Sequence, residues 1–175
     1  MKLLFILDQI QAGLGGKEQG GQPLGGQRIA IGSAKMFEKH LSDVDGEIIA
    51  TLYSGDEFFL QDATNNSLKM AAMVKQLAPD AIICGPCFNY ADYAKMAAIT
   101  AETIQTKLTK PIPVVAAMSQ ECSDVIQSYK DKIDIIKMPK KGGTGLTDSL
   151  ENILKLCQLK YQKADTGEFV QKYCY

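Results

Sequence analysis

The chain has no tryptophan, one histidine (His40) and no apolar run longer than Leu3–Leu7, which stops at Asp8. Five apolar residues are too few for a signal-peptide core or a membrane span, so the chain is expected to stay in the cytoplasm. Charge of one sign is also missing. The 19 basic and 20 acidic residues leave a net charge of −1, with no basic stripe or block. Nucleic-acid binding therefore has no electrostatic footprint. A single histidine argues against a Ser-His-Asp or Cys-His triad. Zinc would need paired cysteines at two places or several histidines, and neither is present, so no metal is expected. The five cysteines (Cys84, Cys87, Cys122, Cys157, Cys174) are odd in number and share no repeated spacing. They do not read as a disulfide scaffold.

What is present is one domain's worth of alternating pattern. Lys2–Asp8 is a short apolar run of the kind buried on both faces of a sheet. Further strands are read at Glu47–Tyr53, Ala81–Cys84, Pro113–Ala117 and Ile133–Met138, with helical spacing over Ser33–Leu41, Gln61–Leu77, Asn89–Leu108, Ser119–Tyr129 and Thr147–Gln162. This alternation implies right-handed βαβ crossovers. The expected fold is a single α/β domain over residues 1–163, doubly wound in the Rossmann-like or flavodoxin-like manner, with a mostly parallel sheet of about five strands. Residues 164–175 read as a polar C-terminal tail. Sheets of this kind bind ligands beyond the strand carboxyl ends, where the winding reverses. The glycine-rich loops all fall at that end.

Four segments carry the chemistry. The first strand runs into Gly13-Leu14-Gly15-Gly16-Lys17-Glu18, within a stretch of eight glycines from Gly13 to Gly32. Such a loop can turn its N–H groups on an anion, or it can be a mobile surface segment. Its spacing fails the dinucleotide fingerprint at the third glycine. Cys84-Gly85-Pro86-Cys87 lies between a strand and a helix. It reads either as a redox-active thiol pair or as two small buried residues beside a turn. Asn89 is placed to cap the following helix, and Phe88, Tyr90 and Tyr93 either wall a small pocket or simply pack. Gly142, Gly143 and Thr144, after Lys140-Lys141, form either an anion nest or a plain turn with solvated lysines.

Taken in order along the chain, these segments resemble the N-terminal half of the selenoprotein B family, component B of the glycine, sarcosine and betaine reductases. Asp8-Gln9 with Ala12–Glu18 is similar to the family's opening strand and its AGIGGEE-like loop. Ser54–Phe59 resembles its GDNYF-like segment, and Gly85-Pro86-Cys87-Phe88-Asn89 with Tyr93 resembles its GPAFNAGRYG-like segment. Met118–Cys122 stands where a MYEEN-like loop would be. Members are about twice as long, and the selenocysteine or cysteine that attacks the substrate lies in the half not matched here. Cys84 and Cys87 stand where the family has small non-thiol residues.

The resemblance implies a subunit or truncated relative of an oxidoreductase that is not self-sufficient. In that family a pyruvoyl group on a separate subunit activates the substrate amine. A selenolate cleaves the C–N bond, and thioredoxin supplies electrons. No cofactor is expected in this chain itself. The partners implied are the selenocysteine- or cysteine-bearing half, the pyruvoyl subunit, thioredoxin and a small amine or amino acid, with self-association left open. The substrate-binding residues implied are Gly13, Gly15, Gly16, Glu18, Gly85, Pro86, Phe88, Asn89 and Tyr93, with Glu18 holding an ammonium group. Two alternatives stay open: a stand-alone small-molecule binding protein of the same fold, and a thiol oxidoreductase with Cys84 and Cys87 as catalytic residues.

Overall fold

A computed structural model describes the whole chain, Met1–Tyr175. Five parallel strands form the body of the sheet: β1 (Lys2–Asp8), β3 (Glu47–Ser54), β4 (Ala81–Cys87), β5 (Val114–Ser119) and β6 (Ile135–Met138). A sixth, β2 (Gly25–Gln27), pairs antiparallel with β3 at one edge. The order across the sheet is β2-β3-β1-β4-β5-β6. With β2 set aside, the parallel strands follow the flavodoxin-like order, and the winding reverses between β1 and β4.

The sheet is buried on both faces, as the unbroken apolar strands require. On one face Leu4, Ile6, Ile82 and Val114 meet α2 (Ala63–Leu77) and α3 (Ala91–Lys107) through Met70, Val74, Ala94, Ala97 and Ala101. The run of alanines lets α3 lie close to the strands. On the other face Leu3, Phe5, Leu7, Ile83 and Val115 meet Phe37 and α5 (Leu146–Tyr161), which contributes Leu150, Ile153 and Leu154. The Phe5 and Phe37 rings pack tilted, with centroids 4.7 Å apart, an arrangement that suits their quadrupoles.

The expected elements are found within a few residues, with four differences. The helical segment before β3 is a long 3-10 helix, Gly32–Val44, which buries Ala34, Phe37, His40 and Val44. Its repeat of three matches a 3-10 helix, in which residues three apart eclipse. The helix read from Gln61 is preceded by a short α1 (Asp56–Gln61), and Asp62 caps α2 by accepting from the Asn65 N–H at 3.3 Å. The segment after β5 is a 3-10 turn, Gln120–Cys122, followed by α4 (Ser123–Tyr129). Finally, the polar tail is structured: α6 (Gly167–Tyr173) leads to a bridge between Cys174 and Ile136. The Tyr175 N–H donates to the Ile135 carbonyl at 3.1 Å. Phe169, Val170 and Tyr173 pack against the core, which holds the tail over the β6 edge. Both edges of the sheet are thus covered by short pieces, which limits edge-to-edge pairing.

Candidate functional site

The loops after β1, β3 and β4 meet above the point where the winding reverses. β1 ends in a tight turn. The Asp8 carbonyl accepts from Ala12 N–H at 2.9 Å, the Gln9 carbonyl from Leu14 N–H at 2.9 Å, and the Asp8 Oδ1 from Gln11 N–H at 2.6 Å. Gly32 closes against this turn: its φ is +52°, and a Cβ there would lie 1.8 Å from the Gln11 carbonyl oxygen. The glycine-rich stretch is pinned a second time at Gly55, where an added Cβ would lie 2.0 Å from the Gly20 carbonyl oxygen. There the Gly55 N–H donates to Gln22 and the Phe58 N–H to Gly20.

The third loop leaves β4 through Gly85-Pro86, a cis peptide. Gly85 has φ +141°, and a Cβ would meet the Ala117 carbonyl oxygen at 2.8 Å, so only glycine lets the two strands approach here. The Phe88 carbonyl then accepts from the Ser119 hydroxyl at 2.9 Å and the Cys122 thiol at 3.2 Å. α3 starts next, and no side chain caps it.

A cleft of about 230 Å³ opens between these loops, lined by Lys17, Asp56, Glu57, Asn89, Tyr90, Ala91 and Asp92. One cation and three carboxylates therefore share a small space with the uncapped N-terminus of a 17-residue helix. The Lys17 Nζ stands 5.4 Å from the Tyr90 ring centroid and the Lys141 Nζ 5.9 Å from it, so the loops after β1 and β6 both bring an ammonium group to Tyr90. Gln9 fixes the acidic side: its Nε2 donates to Asp56 Oδ1 at 3.0 Å, and the Asp56 N–H donates to its Oε1 at 3.1 Å.

Asp8 lies buried beside this arrangement, and its Oδ2 has no hydrogen-bond partner. Burial, opposed by the Gln11 N–H bond and reinforced by the Asp56 charge, pushes its carboxyl up to about 7. A carboxyl raised this way keeps its proton in an appreciable fraction of molecules at neutral pH.

The sequence model of the glycine/sarcosine/betaine reductase selenoprotein B (GRDB) family matches residues 1–173. The chain belongs to that family. Among curated relatives, it is 28% identical over 170 residues to the sarcosine reductase complex component B subunit beta of Peptoclostridium acidaminophilum, covering 97% of this chain and 37% of the relative. It is 31% identical over 121 residues to the glycine reductase complex component B subunit gamma of Symbiobacterium thermophilum, covering 69% of this chain and 28% of the relative. The chain thus spans about a third of the length of these relatives, rather than the half expected from the resemblance. No solved structure matches it.

Of the four segments through which this chain resembles the selenoprotein B family, three supply cleft residues and Met118–Cys122 supplies none, and the individual side chains divide. Asn89 lines the cleft, just outside the helix rather than capping it. Gly85 and Pro86 shape the strand end that carries it. Gly13 has φ +75° and belongs to the turn after β1. Gly15 and Gly16 lie against Glu18, whose carboxylate accepts from the Gly16 N–H at 2.7 Å. That bond holds the exposed Glu18 carboxyl below its usual range, and Glu18 is not among the cleft residues; its neighbour Lys17 is. Phe88 packs against the core. Tyr93 is fully buried and donates to the Ile6 carbonyl at 3.0 Å, so it pins α3 to β1.

Cys84 and Cys87 have no exposed surface, and burial pushes both thiols well above their usual range. This is the opposite of what a thiolate nucleophile needs. Gly142, Gly143 and Thr144 are exposed and lie outside the cleft, and the Gly143 N–H is spent on the Lys140 carbonyl at 2.8 Å. Their loop is tethered by the Lys141 N–H, which donates to Glu121 at 3.2 Å. His40 is not among the cleft residues, and its Nδ1 lies 3.3 Å from the Glu151 carboxylate. Sequence reasoning missed Lys17, Asp56, Glu57 and Asp92 as cleft residues, and the buried Asp8 beside them. The available signals were an aspartate ending a buried strand and the acid pair that opens α1.

Proposed function

We propose that this chain is a subunit or truncated relative of a glycine, sarcosine or betaine reductase component B, and that its cleft forms one wall of the pocket for a small amine substrate. The observation that carries this reading is the division of charge in the cleft. The Lys17 ammonium and the free N–H groups at the start of α3 suit a carboxylate. Asp56, Glu57 and Asp92 suit an ammonium group a few ångströms away. A small zwitterion needs both, and about 230 Å³ is room enough for one.

The chemistry of bond cleavage then belongs to groups outside this chain, a pyruvoyl group that activates the amine and a selenocysteine or cysteine that attacks. Buried Cys84 and Cys87 support that division, because neither thiol is placed to react. The residues here bind and orient: Lys17 holds the carboxylate, Asp56 holds the ammonium, and the Gln9 clamp keeps Asp56 in place. The test is kinetic. In the assembled reductase, Lys17→Ala and Asp56→Asn should each raise the substrate KM by roughly tenfold or more, the effect of about 1.4 kcal/mol of lost binding. Unchanged KM and kcat in both variants would remove the cleft from the substrate site.

A further inference from the structure

Asp8 is the one buried carboxylate whose position the binding scheme above does not use. Three observations set it apart. Its Oδ2 is enclosed and unpartnered, whereas buried polar atoms are nearly always hydrogen-bonded. Its Oδ1 holds the first turn of the loop that carries Lys17, through the Gln11 N–H. The residue after it, Gln9, clamps Asp56 on the acidic side of the cleft. The titratable groups that face Asp8 are Asp56 at the head of α1, the Cys87 thiol of β4 and the Tyr93 phenol of α3. Of these only Asp56 carries charge at neutral pH, and it is a like charge.

We propose that Asp8 is a positioning residue that gives up its proton when a cation binds against Asp56, and thereby tightens the loop that carries Lys17. The balance is simple: the Asp8 carboxyl becomes carboxylate, its proton leaves to solvent, and the bound cation offsets the Asp56 charge that had opposed the ionisation. A carboxylate accepts from the Gln11 N–H more strongly than a neutral carboxyl does, so the turn after β1 is held more firmly in the occupied state. This rests on the cleft reading above only for the identity of the natural cation.

The experiment follows the Asp8 side-chain carbon by NMR across pH in the full chain carrying ¹³C-labelled aspartate. The expected midpoint lies near 7. Methylammonium chloride, at an ionic strength matched with sodium chloride, should lower it saturably by roughly one unit. Asp56→Asn should lower it without any amine and abolish the amine effect. An Asp8 midpoint in the ordinary carboxylate range, or one near 7 that ignores methylammonium, would overturn the proposal. If Asp56→Asn fails to fold, the methylammonium titration of the unaltered chain decides alone. Sarcosine separates the two readings: a methylammonium response at Asp8 with no sarcosine response at the Asn89 and Tyr90 amides sustains the proton exchange and removes the amino-acid pocket.

Discussion

Asp8 is where a single side chain has the most measurable consequence. Its carboxyl titrates near 3.8 when the chain is unfolded and near 7 when folded. A group whose pKa rises on folding gives stability that is fully present below the unfolded value and is lost as pH climbs through the folded one. Asp8→Asn removes that pH dependence. Between pH 5 and pH 8 the variant should therefore gain about 2–3 kcal/mol relative to the unaltered chain, measured by urea unfolding at each pH. A difference that stays constant with pH would mean that Asp8 is ionised in the folded protein. The cysteines give a second test. Cys84, Cys87 and Cys157 are wholly enclosed, so a thiol reagent such as DTNB should label them only as the protein unfolds, on the timescale of global opening. Rapid native-state labelling of Cys84 and Cys87 themselves, located by mass spectrometry, would restore the thiol-oxidoreductase reading.

Side-chain roles were the least legible part of the sequence. Glu18 and Lys17 are neighbours in one loop, and the choice between them turns on a hydrogen bond within that loop, Gly16 N–H to Glu18, that no pattern encodes. Tyr93 stayed open between a pocket wall and plain packing, because aromatics in a first helical turn serve either purpose. Its burial follows from a contact with β1 across 87 residues of sequence.

Among the elements, the glycine-rich stretch is the one whose geometry is most exacting, and its glycines are not equivalent. A Cβ at Gly32 would collide with the Gln11 backbone, whereas Gly21 has open space around it and an ordinary φ. Gly32→Ala should cost at least about 2 kcal/mol of unfolding free energy, and Gly21→Ala should stay within about 0.5 kcal/mol. Equal effects would mean that the loop is not pinned to the turn after β1. Five strands were legible because each is an apolar run bounded by Gly, Pro or Asp. β2 was not: Gly25-Gly26-Gln27 has no alternation to read, and only its pairing with β3 makes it a strand. The helix within the tail was not legible for a similar reason. α6 spans seven residues and three apolar contacts, too short a pattern to separate from a solvated end before the core it docks against is known.

For the molecule as a whole, sequence pattern was sufficient to place the sheet end at which the cleft opens. Parallel strands with right-handed crossovers must reverse their winding somewhere, and loops at that reversal converge. Here the reversal falls between β1 and β4, and the cleft opens there. What the pattern did not reveal is the sign of its walls, because Asp56, Glu57 and Asp92 come from the first turns of two different helices, α1 and α3, that only the folded sheet brings together. The most direct test is affinity isolation of the tagged chain under native conditions from the cells that produce it, with every co-purifying protein identified and quantified by mass spectrometry. Recovery in fixed stoichiometry of a selenocysteine- or cysteine-bearing subunit and a pyruvoyl subunit is the result predicted. Recovery of the chain alone, or only with further copies of itself, would contradict the reductase reading and favour a stand-alone binding protein.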